Sequence, residues 1–180
     1  MKKYFHVCFV LLASVLLSSC AYHIGAPLNR SYSSIALADI SNLTREANLT
    51  QLMKDAILNK MAQEPYLNLK NQNEADLIVT LKLSTYGTSS YTSSQKRHHR
   101  ELDNEEQNSY ATTVRRLELW VEYKVYKQGC NDKPLFEGKV SGEGFIPTIH
   151  DNEIAWGPAL RAATDNAAEK IMTAILCFEE

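Results

Sequence analysis

From Arg116 to Tyr126 the chain alternates without a break. Leu117, Leu119, Val121, Tyr123 and Val125 fall at odd positions; Arg116, Glu118, Trp120, Glu122, Lys124 and Tyr126 fall at even ones. Successive side chains of a strand point to opposite faces, so this run is a strand with one face on a core and one on polar surroundings. It reads as part of the longest strand, about 112–127. A lone strand or hairpin is not stable in water, so the run demands a sheet covered on its apolar side. Residues 75–85 repeat the pattern: Leu77, Val79, Leu81 and Leu83 alternate with Ile78, Thr80, Lys82 and Ser84. Residues 34–40 read as a first, mostly buried strand and 66–70 as a short one. Residues 135–146 return as a strand after a turn at 129–134. Gly138, Gly142 and Gly144 within that return imply bulges or close approach by another backbone.

Two segments have helical period instead. In 45–63, Leu49, Leu52, Met53, Ala56, Ile57 and Met61 share one face, Lys54, Asp55, Asn59 and Lys60 the other, and Pro65 ends the run. Ser41-Asn42 turns the chain ahead of it. In 151–177, Leu160, Thr164, Ala167, Ala168, Ile171, Ile175 and Phe178 form a stripe whose alanines let the helix lie close on a sheet, with Thr164 and Asn166 as local hydrogen-bonding residues. The order β-α-β-β-β-β-α predicts an α+β fold: two helices packed on one face of a mainly antiparallel four- to five-stranded sheet. One segment, 86–110, is long, polar and flanked by strands. It reads as an extended hairpin loop, either mobile or continuing both strands beyond the sheet to order on a partner.

The N-terminus sets the compartment. Lys2 and Lys3 precede an apolar run from about Val7 to Leu17, too short to span a bilayer, so 1–19 reads as a cleaved signal peptide. Leu17-Ser18-Ser19-Cys20 matches the lipobox of bacterial lipoproteins, with Cys20 as the thiol that takes diacylglycerol. Several acyl chains, at roughly 0.8 kcal/mol per buried CH₂, make a stable anchor. An ordinary signal with a chance cysteine is the competing reading; position, flanks and small residues all agree with the lipobox. Residues 20–33 then form the lipidated N-terminus and a short tether, and 34–180 a single domain. Ala21, rather than Asp, after the cysteine favours outer-membrane over inner-membrane sorting, with the protein facing the periplasm. Loss of the two signal lysines takes the formal net charge from −2 to −4, 17 Lys and Arg against 21 Asp and Glu. That balance gives no support for nucleic-acid binding.

Cys130 and Cys177 remain as an even pair in a disulfide-permissive compartment and are expected to bond, tying the 129–134 turn to the end of the last helix for about 3–4 kcal/mol; two free thiols are the alternative. No catalytic signature is present: no GxSxG, P-loop, HExxH or CxxC. Glu118 and Glu122 lie about 13 Å apart by strand rise, too far for a paired-carboxylate glycosidase. The expectation is therefore no enzyme, no cofactor and no metal. Lys96-Arg97-His98-His99-Arg100 is the densest basic cluster. Adjacent histidines on a loop lack defined metal geometry, so the cluster is either solvated or a contact for anionic lipid or a partner. Arg116, Trp120 and Lys124 on the polar face of the long strand have the mixture of aromatic and long charged side chains that suits an interface.

The lipobox with Cys20-Ala21-Tyr22-His23, the segment 35–44 with its Asn42 turn, the helix 49–61, the Glu74-Ala75-Asp76-Leu77-Ile78-Val79 strand entry, the long polar hairpin and the Ala-rich last helix together resemble the LptE family of LPS-assembly lipoproteins. That resemblance covers most of the mature chain. It implies a two-helix, four-strand sandwich that plugs the lumen of a large outer-membrane β-barrel of LptD type. In that role it would assist barrel assembly and take part in placing LPS in the outer leaflet, with LPS itself as a further contact. No LPS-contact residue transfers onto 86–110. A periplasmic envelope scaffold or regulatory lipoprotein, for example of the peptidoglycan-synthase activator type, is the alternative, since such proteins share a strand, an Asn turn and a helix resembling 35–61.

Overall fold

The computed structural model describes residues 32–98, 107–130, 132–148 and 152–178. Residues 20–31, with Cys20 and most of the tether, and Arg100 lie outside the described residues, and Lys96 and Arg97 are described in their backbone only. In chain order the elements are β1 (Ser34–Asn42), α1 (Leu49–Gln63), β2 (Asn68–Leu69), β3 (Leu77–His98), β4 (Gln107–Lys127), β5 (Phe136–Pro147) and α2 (Asn152–Leu176). The strands form one sheet of order β2-β1-β3-β4-β5. The β3–β4 and β4–β5 pairs are antiparallel, as expected; β1 is parallel to both β2 and β3, which makes the sheet mixed.

The odd residues Leu77 to Leu83 and Leu117 to Val125 are buried, so the alternation read from the sequence is the inner face of β3 and β4. Leu49, Met53, Ala56, Ile57 and Met61 of α1 close over it. So do Leu160, Ala163, Ala167, Ile171 and Ile175 of α2. Each large apolar side chain so buried contributes roughly 1.5–3 kcal/mol.

Two polar devices join the pieces. One oxygen of Asp76, Oδ2, accepts from the Ser33 and Ser34 backbone N–H groups at 2.9 and 3.0 Å. The same atom accepts from their hydroxyls at 3.0 and 2.8 Å. This fastens the start of β1 to the start of β3. Asn42 builds the β1–α1 turn: its Oδ1 accepts from the Thr44 N–H and hydroxyl at 2.8 and 2.7 Å, and its Nδ2 donates to the Glu46 carbonyl and Thr50 Oγ1 at 2.9 and 3.1 Å.

None of the β5 glycines marks a bulge, because the β4–β5 register is continuous; Gly142 and Gly144 mark close approach by another backbone, and Gly138 makes room for the Tyr123 side chain. A Cβ on Gly142 would stand 1.9 Å from the Ala163 carbonyl oxygen, and one on Gly144 would stand 2.0 Å from that of Ala159. Helix α2 therefore rests directly on β5. Thr164 bonds locally, to the Arg161 carbonyl at 2.8 Å; Asn166 instead reaches across to β5 and accepts from the Glu143 N–H at 3.2 Å.

Two further expectations need correction. Segment 86–110 is not a loop throughout: β3 runs to His98 and β4 starts at Gln107, paired down to His98↔Gln107, so the strands continue beyond the sheet. Neighbouring strands stop short, β1 at Leu83 and β5 at Val114, and the remainder is a two-stranded ribbon. Backbone pairing needs no apolar face, and Thr and Tyr favour extended backbone. The second correction concerns the disulfide: Cys130 and Cys177 are free and exposed. The end of α2 is held instead by Phe178 stacked on Phe136, centroids 4.2 Å apart at 13°. Gly129, at φ +79°, turns the chain so that the Cys130 N–H bonds Lys127 while its side chain faces solvent.

Candidate partner-binding surface

Both helices lie on the inner face, so the outer face of β3, β4 and β5 has no layer over it among the described residues. Its charges are matched among themselves. Lys82 pairs with Glu122 at 3.0 Å, Lys124 with Glu137 at 3.1 Å, and Arg116 with Glu118 at 2.8 Å and Glu143 at 3.9 Å. Ser84 donates a second bond to Glu122 at 2.8 Å. The Lys82 and Ser84 bonds hold the Glu122 carboxyl below the usual range, and the Glu137 carboxylate holds the Lys124 ammonium above its own. Lys139 sits over the Trp120 ring at 5.2 Å, a cation–π contact. Cations and carboxylates thus balance across this face.

Aromatic surface interrupts this lattice. Trp120 is 36% exposed, and at the root of the ribbon Tyr91 (56%) and Phe145 (47%) pack with centroids 4.9 Å apart. On the opposite face Tyr86 meets Trp156 at 5.9 Å and donates to Glu46 Oε1 at 3.3 Å; burial raises its hydroxyl pKa, and the Glu46 charge adds to this.

Of the residues singled out in the sequence, Arg116, Trp120 and Lys124 do share the outer face. They are spaced by four residues along β4, about 13 Å each, so they form a stripe and not a pocket. Arg116 and Lys124 are already ion-paired. The backbone of Lys96 and Arg97 pairs with Ser109 and Asn108 on the ribbon, well beyond that stripe. Sequence reading missed Phe145 and Tyr91. Phe145 was discoverable, since Glu137, Lys139, Glu143 and Phe145 all fall on the polar phase of β5. Tyr91 was not, because the β3–β4 register shifts between Leu83 and Thr85 and again on either side of Thr92. No group of three or more His, Cys, Asp or Glu able to hold a metal occurs among the described residues.

No known protein-family profile matches the chain. No curated protein matches it either. Solved structures do. A Xanthomonas campestris protein of family DUF330 is similar at TM-score 0.57 and 6% identity over 84% of this chain and 90% of that one. The rare lipoprotein B from Shewanella oneidensis gives TM-score 0.41 at 14% identity, covering 79% of this chain and 92% of that one. Lipoprotein GNA1162 from Neisseria meningitidis gives 0.40 at 12%, over 79% and 94%. The Xanthomonas likeness shows a shared α+β fold.

Proposed function

We propose that this chain is an envelope lipoprotein, held by lipid on Cys20 in the outer membrane and facing the periplasm, that plugs and assists assembly of the LPS-translocon barrel. It works by binding rather than catalysis and takes part in delivering LPS to the outer leaflet. The observation that carries the reading is the uncovered sheet face. A surface whose cations and carboxylates neutralise one another, studded with exposed rings, suits docking on a polar protein wall such as a barrel lumen. It suits an anionic lipid surface less, because Arg116 and Lys124 already have partners. The lipobox supplies the anchor, and confinement to the membrane raises the effective concentration of plug at barrel.

A mild-detergent purification of the tagged protein from its own outer membrane tests this. A large β-barrel recovered at near equal amounts supports the plug. Recovery of a peptidoglycan synthase without a barrel supports the second reading, an envelope scaffold. One observation favours that second reading: Tyr32, against Lys127 at 5.7 Å, lies at the end of the sheet opposite the ribbon. The ribbon therefore projects away from the point where the tether joins.

A further inference from the structure

We infer that the edge of β3 on the β1 side, from Thr85 to Ser89, is a strand-addition site that takes an extended, uncharged segment of the partner barrel; this rests on the plug reading above. The last β1–β3 pair is Asn42↔Leu83, followed only by the Leu43 N–H bonded to the Leu83 carbonyl at 3.0 Å. On its other side β3 stays paired with β4 through Thr85↔Trp120, Tyr86↔Leu119, Gly87↔Glu118, Thr88↔Leu117 and Ser89↔Arg116. The backbone is thus held extended from one side, and among the described residues no strand lies on the other. Peptide groups of a strand point alternately to its two sides, so about half of those at 85–89 face the open edge.

The outer edges at β5 and β1 are each covered in part, and β4 beyond Val114 is the other stretch with no strand beside it among the described residues. At β5 the Glu143 N–H donates to Asn166, and the Ser141 carbonyl accepts from Lys170 at 2.6 Å. At β1 the strand β2 pairs with Ser34 and Ile35, and Gln72 donates to the Leu37 carbonyl at 3.2 Å. Open edges are usually defended by charge or proline. Residues 85–95 read Thr-Tyr-Gly-Thr-Ser-Ser-Tyr-Thr-Ser-Ser-Gln, with neither.

The edge is also preorganised, since the Tyr86 contacts with Trp156 and Glu46 fix its start. An incoming segment gains main-chain hydrogen bonds of the strand-addition kind. A charge on that segment would meet no counter-charge at 85–89, which selects an uncharged one. Tyr91 and Phe145 continue the surface onto the outer sheet face, so the partner seated there also reaches the edge.

The test is photocrosslinking in the full-length lipidated protein in its own membrane, with benzoylphenylalanine placed at Thr88 and, as a control, at exposed Lys54 of α1. The expected result is an adduct from Thr88 to one extended segment of the co-purifying barrel, and no such adduct from Lys54. Barrel co-purification without a Thr88 adduct, or a Thr88 adduct to a second copy of this chain, overturns the edge site while leaving the plug reading intact. Failure of the wild-type chain to recover any barrel removes the plug reading and this occupant together.

Discussion

A single carboxylate oxygen of Asp76 accepts four hydrogen bonds from Ser33 and Ser34. The Ser33 N–H and the Ser34 hydroxyl are the main reasons its carboxyl is held below the ordinary value of 3.8. A carboxyl whose pKa is lowered on folding stabilises the fold above its unfolded value, and that stabilisation is lost as pH falls through the folded value. Asp76→Ala is expected to cost about 1.5–3 kcal/mol at neutral pH, by the usual worth of hydrogen bonds to a charged group. In urea melts across pH, the gap from wild type should stay constant down to about pH 4 and shrink below it. A gap unchanged at about pH 2 would show that the carboxylate form is not what holds the strands. Asn42→Ala, which breaks the bonds ordering the turn into α1, should cost on the order of 1–2 kcal/mol. The two residues differ in how visible they were. Asn42 acts on residues within eight positions, so a turn ahead of a helix was legible. Asp76 acts on residues more than forty positions away, and no local spacing reveals that.

At the scale of elements, the seam between α2 and β5 leaves no room for a Cβ at Gly142 or Gly144. Gly142→Ala would set a methyl against the Ala163 carbonyl, with backbone on both sides. Such overpacking costs about 1–3 kcal/mol. The expected result is a thermal midpoint lower by several degrees, while Gly87→Ala, with open space around it, should change it little. Equal midpoints would contradict the seam. The small residues were legible as a sign of close approach, because Gly in a strand and Ala on a helix stripe point to the same cause. The ribbon was legible only as one of two alternatives. Sequence periodicity reports burial, and the backbone pairing that extends β3 and β4 into a ribbon requires none. The cysteines misled because compartment and parity argue for a bond, while the helix end is closed by the Phe136–Phe178 stack. Both thiols are therefore expected to alkylate in the native, unreduced protein; resistance to labelling until reduction would overturn this.

For the molecule as a whole, one side of the sheet is covered by both helices and holds the core, and the proposed function places binding on the uncovered side. The alternation in β4 showed both sides, and with them most of the fold. It could not show that Lys139 caps Trp120 or that the outer-face charges cancel, since those pairings depend on cross-strand register. Trp120→Ala should leave stability within about 1 kcal/mol of wild type, yet cut barrel recovery roughly five- to tenfold, as loss of a central aromatic contact does. Cys20→Ala should carry no acyl mass in intact-protein mass spectrometry; normal acylation of that variant would remove the lipobox. The most direct measurement is the amount of LPS reaching the cell surface after this protein is depleted. Surface LPS should fall while the barrel accumulates unassembled. Undiminished delivery of LPS with a normally assembled barrel would contradict a role in the translocon.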